Sequence, residues 1–405
     1  MSLHDTPAAE RIHIGFFGLR NAGKSSLVNA VTGQSIALVS DVAGTTTDPV
    51  KKAMELLPLG PVLIIDTPGV DDEGDLGTMR VEKTREVLAT VHVAVLVVDA
   101  TRGLSEHDRS LITELEARKL PYLIALNKSD LAPEATLPTE LTARVRRVSA
   151  HTGEGVDALK ESIGALAKGK ENTRRIVADL LSPEDVVVLV TPIDESAPKG
   201  RLILPQQQTI RDVLDAHCTV VVCQDTELKK TLAALKNPPR LVITDSQAFG
   251  RVAANLPTDI PLTSFSILFA RYKGDLPSLV KGASALSTLS DGDRVVIAEG
   301  CTHHRQCNDI GTTKIPRWIE DFSGVKPQYI FTSGGEFPAD LADCKLVVHC
   351  GGCMLNDKEM AHRMATAEAA GVPMVNYGVA IAHMHGILRR SLAPFPDVLK
   401  ILDNE

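Results

Sequence analysis

A glycine-rich segment between a strand-like run and a helix-like run constrains the fold of this chain more than any other feature. Gly18 and Gly23 enclose four residues and precede Lys24 and Ser25, so the segment has the form G-x-x-x-x-G-K-S. The apolar run IHIGFFG leads into it, and the helix-like run SLVNAVTG follows. Backbone amides of such a turn and of the next helix N-terminus bind phosphate oxygens. The segment therefore predicts a phosphate-binding loop in an α/β sheet.

The side chains of this loop predict how phosphates would be held. Lys24 is expected to neutralise the β- and γ-phosphate oxygens, and the Ser25 hydroxyl is expected to reach Mg²⁺. A glycine-rich turn with a chance lysine is the alternative interpretation, but the flanking strand and helix patterns argue against it. The residues of this loop expected to contact the nucleotide are Gly18, Asn21, Ala22, Gly23, Lys24, Ser25 and Ser26.

Two further segments stand at the ends of predicted strands. The segment DTPG begins with Asp66, which is expected to hold Mg²⁺ through water, and ends with Gly69, whose amide would meet the γ-phosphate. The segment NKSD ends with Asp130, whose carboxylate can accept hydrogen bonds from the N1–H and the 2-amino group of guanine. Adenine offers neither donor, so an unpaired carboxylate would penalise it. Asn127 and Lys128 belong to the same predicted guanine-binding loop.

A fourth segment, SA at Ser149 and Ala150, closes the next strand and offers a backbone amide to the guanine O6. All four loops follow the carboxyl ends of predicted parallel strands, where such sheets bind ligands. On these segments residues 11–165 resemble a translation-factor-type GTPase domain. The resemblance implies GTP and Mg²⁺ as ligands. The residues that would serve hydrolysis are Lys24, Thr46, Asp66 and Gly69.

Three positions refine the resemblance. AGTTTDP resembles the first switch of such domains, with Thr46 as the first candidate ligand of Mg²⁺ and Thr45 and Thr47 as alternatives. Asn21 resembles the asparagine of potassium-activated GTPases and implies K⁺; a loop-stabilising residue is the alternative. Val70 follows DTPG, where a Ras-like enzyme has its water-orienting glutamine. Because an apolar side chain cannot orient water, hydrolysis is expected to be slow, or aided by K⁺ or a partner.

The apolar runs along the chain predict an α/β protein of three domains. In the first domain, short strand-like runs alternate with helical patterns, as in a doubly wound parallel sheet. The charged stretch AKGKENTRR reads as a linker, and two smaller, Rossmann-like α/β units follow. The expected boundaries are 1–170 for the first domain, 171–264 for the second and 265–405 for the third.

The last unit has cysteines at the ends of two predicted strands. Cys301 opens CTHH after the run RVVIAEG, and Cys350 and Cys353 lie in HCGGC after the run KLVV. Because the carboxyl ends of parallel strands share one edge, the three sulfurs are expected to converge. Gly351 and Gly352 allow a tight turn between two ligands. The segment following Cys353 reads as a helix N-cap, which favours an anionic cluster nearby.

Three cysteines with nearby histidines fit two metal sites. Zinc of the Cys₃His type is one, and an iron–sulfur cluster with a replaceable corner is the other. The candidate fourth ligands are Glu299, His303 and His349, and the weaker ones are His304, His383 and His385. Cys307 is a reserve ligand, whereas the remaining cysteines are expected to be inert, and these are Cys218, Cys223 and Cys344.

The C-x-H and H-C-x-x-C motifs downstream of a GTPase domain resemble the di-iron (FeFe) hydrogenase maturation GTPase family over essentially the full chain. The resemblance implies a 4Fe–4S cluster on Cys301, Cys350 and Cys353. It also implies a scaffold that carries a di-iron precursor with CO and cyanide ligands to apo FeFe-hydrogenase, works with radical-SAM maturases and dimerises through its middle domain. A zinc-containing GTPase of RNA or ribosome biogenesis is the alternative.

Charge and hydropathy bound the remaining expectations. The chain of 405 residues has a formal net charge of −8 and contains no long basic run, so nucleic-acid binding is not predicted. The sequence has no stretch of about 18 apolar residues, so no membrane span is predicted. Its first residues lack the apolar core of a signal peptide. A cytoplasmic location is therefore expected. There, 7 cysteines favour metal or redox roles over structural disulfides.

Overall fold

The computed structural model describes residues 6–33, 49–57, 59–69, 75–168, 174–193, 202–301 and 309–403. The chain divides into two compact units, Met1–Asn172 and Thr173–Glu405. Each unit is built from sheets with helices packed against them, which confirms the predicted α/β class.

The first unit contains a six-stranded sheet with the order β2-β3-β1-β4-β5-β6. Its strands are β1 Ile12–Phe17, β2 Val50–Leu56, β3 Gly60–Asp66, β4 Val93–Asp99, β5 Tyr122–Asn127 and β6 Val145–Arg147. Its helices are α1 Lys24–Thr32, α2 Asp75–Thr90, α3 Glu106–Ala117 and α4 Val156–Lys168. The central strands are apolar on both faces because helices cover both sides of a parallel sheet.

One edge of this sheet was not foreseen from the sequence. β2 pairs antiparallel with β3, whereas the other strand pairs of the sheet are parallel. Its sequence, VKKAMEL, is mostly exposed and places two lysines side by side. An edge strand needs no continuous apolar run, and exposed lysines on it hinder pairing with another chain.

The second unit contains two four-stranded parallel sheets. The first has the order β10-β9-β7-β8, with β7 Val186–Val190, β8 Thr219–Cys223, β9 Leu241–Thr244 and β10 Leu262–Ser264. The second has the order β12-β11-β13-β14, with β11 Arg294–Glu299, β12 Gln328–Ser333, β13 Cys344–His349 and β14 Met374–Asn376. The predicted strand-like runs RVVIAEG and KLVV coincide with β11 and β13.

Ten helices of the described residues belong to the second unit. They are α5 Leu204–Asp215, α6 Leu228–Ala234, α7 Phe249–Asn255, α8 Phe265–Lys273, α9 Leu276–Lys281, α10 Ile315–Ser323, α11 Asp357–Ala369, α12 Tyr377–Met384, α13 Leu388–Ser391 and α14 Pro396–Leu399. Buried apolar residues from both sheets form one continuous core. α8 packs against both β10 and β14, so it joins the two sheets of this unit. None of the described helices has the length and apolar character needed to cross a membrane.

Removing a core side chain of α8 should loosen both sheets of the second unit. Leu268 is fully buried in the shared core, so Leu268→Ala is expected to lower the free energy of unfolding by about 2–5 kcal/mol. Urea unfolding followed by fluorescence of Trp318, the one tryptophan of the chain, reports this unit. The exposed Leu131→Ala serves as the control. Faster amide exchange confined to one of the two sheets would contradict a shared core.

Candidate functional site

The phosphate-binding loop connects β1 to α1 and needs glycine at both ends. Gly18 has a φ of 137° and Gly23 a φ of 88°, values that side chains other than glycine rarely tolerate. A Cβ at Gly18 would lie 2.3 Å from the Val97 carbonyl oxygen, and one at Gly23 would lie 2.3 Å from the amide nitrogen of Asn127. The loop is therefore packed closely against the ends of the neighbouring strands.

Lys24 is buried and its ammonium lies over this loop. The Nζ atom donates to the carbonyl oxygens of Gly18 at 3.0 Å and Leu19 at 2.8 Å. These contacts keep a positive charge at the position where phosphate oxygens would meet the loop amides. Ser25 and Ser26 follow in the first turn of α1, and Asn21 is exposed with a φ of 61°.

Ser25 and Asp66 form a pair suited to a divalent cation. The Ser25 hydroxyl donates to Asp66 Oδ2 at 2.7 Å. The other carboxylate oxygen, Oδ1, is buried and accepts no hydrogen bond from the described residues. Burial raises the pKa of Asp66, while the Ser25 hydrogen bond and the charge of Lys24 oppose that rise. A buried carboxylate oxygen beside a serine hydroxyl fits a Mg²⁺ site, because Mg²⁺ prefers hard oxygen ligands.

Asn127 ties three of the predicted loops together. Its Nδ2 atom donates to the Ala22 carbonyl oxygen at 2.9 Å, and its Oδ1 atom accepts from the Ala150 amide at 3.0 Å. Asn127 is buried at the end of β5, so a single side chain fixes the phosphate loop against the last predicted loop. The sequence predicted Asn127 for the nucleotide site but not this bracing role.

Lys128 and Asp130 lie on either side of the same loop. Lys128 has a φ of 61°, and its Nζ atom forms an ion pair with Asp99 at 2.6 Å. Burial tends to raise the pKa of the Asp99 carboxyl group. Hydrogen bonds from Lys128 and Thr101 outweigh this tendency and lower the pKa. Asp130 is exposed, as expected of a carboxylate that meets a base from solution, and Ser149 is fully buried.

Gly69 follows β3 and lies against the phosphate loop. A Cβ on Gly69 would lie 2.6 Å from the Cα atom of Arg20, so the backbone at residue 69 approaches the loop as closely as glycine allows. This is the approach that its predicted contact with a γ-phosphate requires. The predicted switch residues Thr45, Thr46 and Thr47, together with Val70, lie outside the described residues.

The second site lies where β11 and β13 end side by side. Ala298 pairs with His349 across the two strands, so Cys301 and Cys350 follow neighbouring strand ends. Cys350 Sγ accepts hydrogen bonds from the amides of Gly300 at 3.1 Å and Gly352 at 3.4 Å. Backbone amides aimed at a sulfur stabilise its thiolate form and tune a bound cluster.

The three predicted ligand cysteines lie within electrostatic range of one another. Burial, then the charges of Cys350 and Cys353, raise the pKa of the Cys301 thiol. Burial, then the charge of Cys353, raise the pKa of Cys350 to about 11. Glu299 and Asp309 add to the rise at Cys301. Thiols that repel each other's charge in a buried site are suited to share a cation, which removes the repulsion.

No group of three His, Cys, Asp or Glu side chains in the part of the chain that the structure describes is arranged to hold a single metal ion. Each thiolate ligand of a 4Fe–4S cluster binds a different iron atom, so its sulfurs need not be as close as the ligands of one ion. The donor set here is three thiols, and Cys350 accepts two amide hydrogen bonds, so the set fits a cluster in its chemistry. His303, His304 and Cys307 lie outside the described residues.

His349 and Glu299, two candidate fourth ligands, differ in their surroundings. His349 Nδ1 lies 2.7 Å from the Cys350 carbonyl oxygen and Nε2 lies 3.0 Å from Arg363 Nη1, so both ring nitrogens are engaged. Burial and the charge of Arg363 lower the pKa of His349 to about 3. Glu299 is buried at the end of β11 and accepts from the Tyr377 hydroxyl at 3.4 Å. In this arrangement both ring nitrogens of His349 face partners within the protein.

Two buried cations beside this site were missed from the sequence. Arg363 of α11 is 1% exposed and donates to the Gly334 carbonyl oxygen, Glu359 and His349. Lys273 of α8 donates to backbone oxygens of the loop that contains Cys353. Both residues stand in helical stretches without a motif, so only the fold reveals their proximity to the cysteines. The N-cap predicted after Cys353 is confirmed, since Asn356 accepts from the Glu359 amide at 2.8 Å.

The remaining candidates lie elsewhere. Cys218 and Cys223 are buried beside β8, and Cys344 begins β13 at the end opposite Cys350. The six described cysteines form no disulfide. His383 packs edge-on against Phe322, and His385 packs edge-on against Trp318.

Comparison with family models assigns most of the chain. Residues 176–274 match the hydrogen maturase F dimerization domain, and residues 277–394 match the hydrogen maturase F tetramerization domain. Residues 13–128 match the model described as a 50S ribosome-binding GTPase. The first two models cover both sheets of the second unit.

Curated tRNA modification GTPases MnmE match the GTPase domain of the chain. The tRNA modification GTPase MnmE of Synechococcus sp. (strain JA-3-3Ab) is 36% identical over 158 residues, which is 38% of this chain and 34% of the relative. That of Chromobacterium violaceum is 38% identical over 156 residues, with the same coverage. The chain thus spans about a third of the length of the curated relatives that it matches.

Solved structures show a similar but weaker likeness. Aquifex aeolicus Era bound to GDP·AlF₄⁻ is 19% identical with a TM-score of 0.35, and the match covers 53% of this chain and 94% of Era. A probable GTP-binding protein, engB, is 23% identical with a TM-score of 0.32, over 39% of this chain and 100% of engB.

Loss of the buried guanidinium beside His349 should destabilise the second unit. Arg363→Met leaves the Gly334 carbonyl oxygen and Glu359 without their partner, so the free energy of unfolding is expected to fall by about 3–5 kcal/mol. The exposed pair Arg317–Asp321 supplies the control. Arg317→Met is expected to change the free energy of unfolding by less than about 0.5 kcal/mol. Urea unfolding measures both. Equal stability of the two variants would mean that the Arg363 contacts are not important for the fold.

Proposed function

This chain belongs to the hydrogen maturase F family of hydrogenase maturase GTPases, and we propose that it holds a 4Fe–4S cluster and carries a di-iron precursor to apo FeFe-hydrogenase. The observation that carries the proposal is the meeting of Cys301, Cys350 and Cys353 at the ends of β11 and β13, inside the region that matches the family's own domain models.

The first unit acts as a GTPase in this proposal. Lys24 and the loop amides bind the β- and γ-phosphates, and Gly69 offers its amide to the γ-phosphate. Ser25 would bind Mg²⁺ directly and Asp66 would hold it through water. The ion would supply positive charge next to the phosphates. Thr46 is the proposed switch ligand of Mg²⁺. Guanine is recognised by Asp130, with Asn127 holding the loops in register.

The proposal also includes a bound K⁺ ion and a slow rate of GTP hydrolysis. Asn21 stands in the phosphate loop, exposed at a φ of 61°, where its side chain can reach a cation beside the phosphates. K⁺ held there would add positive charge near the transferred phosphoryl group. With Val70 in place of a water-orienting amide, hydrolysis is slow unless K⁺ or a partner contributes.

Three thiolates would hold the cluster in the second unit. Cys301, Cys350 and Cys353 would hold the cluster, which would supply an exchangeable position for the di-iron cargo. Glu299 is buried next to Cys301 and remains a proposed fourth ligand with His303, whereas His349 would first have to break one of its two hydrogen bonds. The proposed domain division is 1–170, 171–264 and 265–405.

GTP state and cargo delivery are coupled in this proposal. GTP orders Thr46 and Gly69 around the γ-phosphate, and hydrolysis releases them. Coupling requires that GTP change the affinity for apo-hydrogenase or for the cargo, and that either partner change the affinity for GTP by the same factor. The family models support oligomerisation. A homodimer, radical-SAM maturases as partners and a cytoplasmic location belong to the proposal.

The alternative function is that of a zinc-containing GTPase of RNA or ribosome biogenesis. The names of the GTPase family model and of the curated relatives favour it, but those matches end within the first unit. A mononuclear zinc site would also need four donors around one ion. Metal content distinguishes the two functions directly.

Replacing Cys301 should abolish the cluster. We expect anaerobically reconstituted wild type to hold about four irons per chain and to give a paramagnetic signal after reduction, and Cys301→Ala to lose most of both. Cys344→Ala is the matched control, because Cys344 lies at the opposite end of β13 and should leave iron content unchanged. Zinc without iron in the wild type, or a normal cluster in Cys301→Ala, would contradict the proposed ligand set.

Replacing Asp130 should change base specificity. Asp130→Asn loses two hydrogen bonds from guanine to a charged acceptor, each worth about 1.5–3 kcal/mol, so the Kd for GTP should rise about 10²–10⁴-fold. Xanthosine triphosphate presents a carbonyl where guanine has an amine and should bind the variant better than GTP. Asp157→Asn, at an exposed residue of α4, is the control. Unchanged GTP affinity in Asp130→Asn would remove Asp130 from the site.

A further inference from the structure

Lys273 is a buried cation whose ammonium group donates hydrogen bonds to the loop after Cys350. It is the last residue of α8 and is 5% exposed. Its Nζ atom donates to the carbonyl oxygens of Gly352 at 3.4 Å, Cys353 at 2.9 Å and Leu355 at 2.7 Å. The loop between β13 and α11 is therefore wrapped around one ammonium group.

Three carbonyl acceptors identify the group as an ammonium, because only the charged form of lysine has three N–H donors. Burying a charge costs several kcal/mol, and the negative ends of three carbonyl dipoles offset much of that cost. Burial raises the pKa of the Cys353 thiol, and the charge of Lys273 acts against that rise. Lys273 therefore stabilises negative charge at Cys353 as well as the shape of the loop.

The two sides of the thiol site carry opposite charge. Glu299 and Asp309 stand near Cys301, where they raise the pKa of its thiol and would disfavour electrons added to a cluster. Lys273 stands on the Cys353 side. In a buried site of low dielectric, one positive charge within a few ångströms is enough to shift the balance between two cluster charges.

α8 also contacts this loop through Ser266. A Cβ on Gly351 would lie 3.5 Å from Ser266 Oγ, which shows that the helix runs directly beneath the loop. Asn376 Nδ2 donates to the Ser266 carbonyl oxygen at 2.8 Å, and the Gly378 amide donates to Ser266 Oγ at 3.1 Å. Both ends of α8 are thus fixed, one to β14 and its following helix and the other to the Cys353 loop.

We propose that Lys273 is a positioning residue that shapes the Cys350–Cys353 loop and raises the reduction potential of the cluster held there. The inference rests on the proposed function, since it requires a cluster on those cysteines. The added electron makes the cluster more negative, so a fixed cation beside Cys353 favours the reduced form. α8 lies within the segment that matches the dimerization domain, so a residue of that segment tunes the cluster from outside its ligand motifs.

Three substitutions separate the effect of the Lys273 charge from the effects of its hydrogen-bond donors and its apolar stem. Lys273→Met keeps the apolar stem and removes the charge and donors, Lys273→Gln keeps donors without the charge, and Lys273→Arg keeps the charge. Lys281→Met, at an exposed lysine that ends α9, is the control. The readouts are iron content, the ratio of reduced to oxidised cluster at the wild-type midpoint potential, and amide exchange of residues 350–355 in the metal-free protein.

We expect the ratio to fall about tenfold in Lys273→Met and Lys273→Gln, which corresponds to about 59 mV for one electron. Lys273→Arg and Lys281→Met should keep a ratio near that of the wild type. In the metal-free protein, exchange of the loop amides should be faster in Lys273→Met than in Lys281→Met. That measurement reports the positioning role without any metal.

Each contrary result overturns a stated claim. A wild-type ratio in both Lys273→Met and Lys273→Gln overturns the effect on the potential. Unchanged loop exchange in Lys273→Met overturns the positioning role. If Lys273→Met fails to fold, Lys273→Gln and Lys273→Arg carry the comparison. A wild type that binds no iron under reconstitution overturns the proposed function itself, a result distinct from any difference among variants.

Discussion

Parallel pairing of strands is the constraint on which both candidate sites depend. In the first unit Phe16 pairs with Asp66 across β1 and β3, which places the phosphate loop beside the predicted Mg²⁺ carboxylate. In the second unit Ala298 pairs with His349 across β11 and β13, which brings the Cys301 and Cys350 loops together. Because parallel strands end at the same edge, residues far apart in sequence meet without any local motif that joins them.

Buried polar side chains then hold these loops in place. Asn127 joins the phosphate loop to Ala150, and Lys273 gathers three carbonyl groups behind Cys353. Arg363 fixes the ring of His349 from the other side. Leaving any of these groups buried without a partner would be costly, so each specifies one loop conformation. The two sites share no chemistry, yet both use a single buried donor to order several backbone segments.

The sequence predicted the elements whose signal is local. The central strands are runs of apolar residues, and the phosphate and guanine loops are short motifs at strand ends, so both were visible before the structure. The strand β2 was not, because an exposed edge strand such as Val50–Leu56 needs no apolar pattern. Lys273 and Arg363 also gave no signal, since their importance comes from contacts across 80 and 29 residues of sequence. The roles of the three cysteines rest on resemblance and on their proximity.

Iron-edge anomalous diffraction from anaerobically reconstituted crystals tests the central claim most directly. The account predicts one compact group of iron peaks at the ends of β11 and β13, with the sulfurs of Cys301, Cys350 and Cys353 each bonded to a different iron. A single peak at the zinc edge, or iron bound away from any of these three sulfurs, would contradict it.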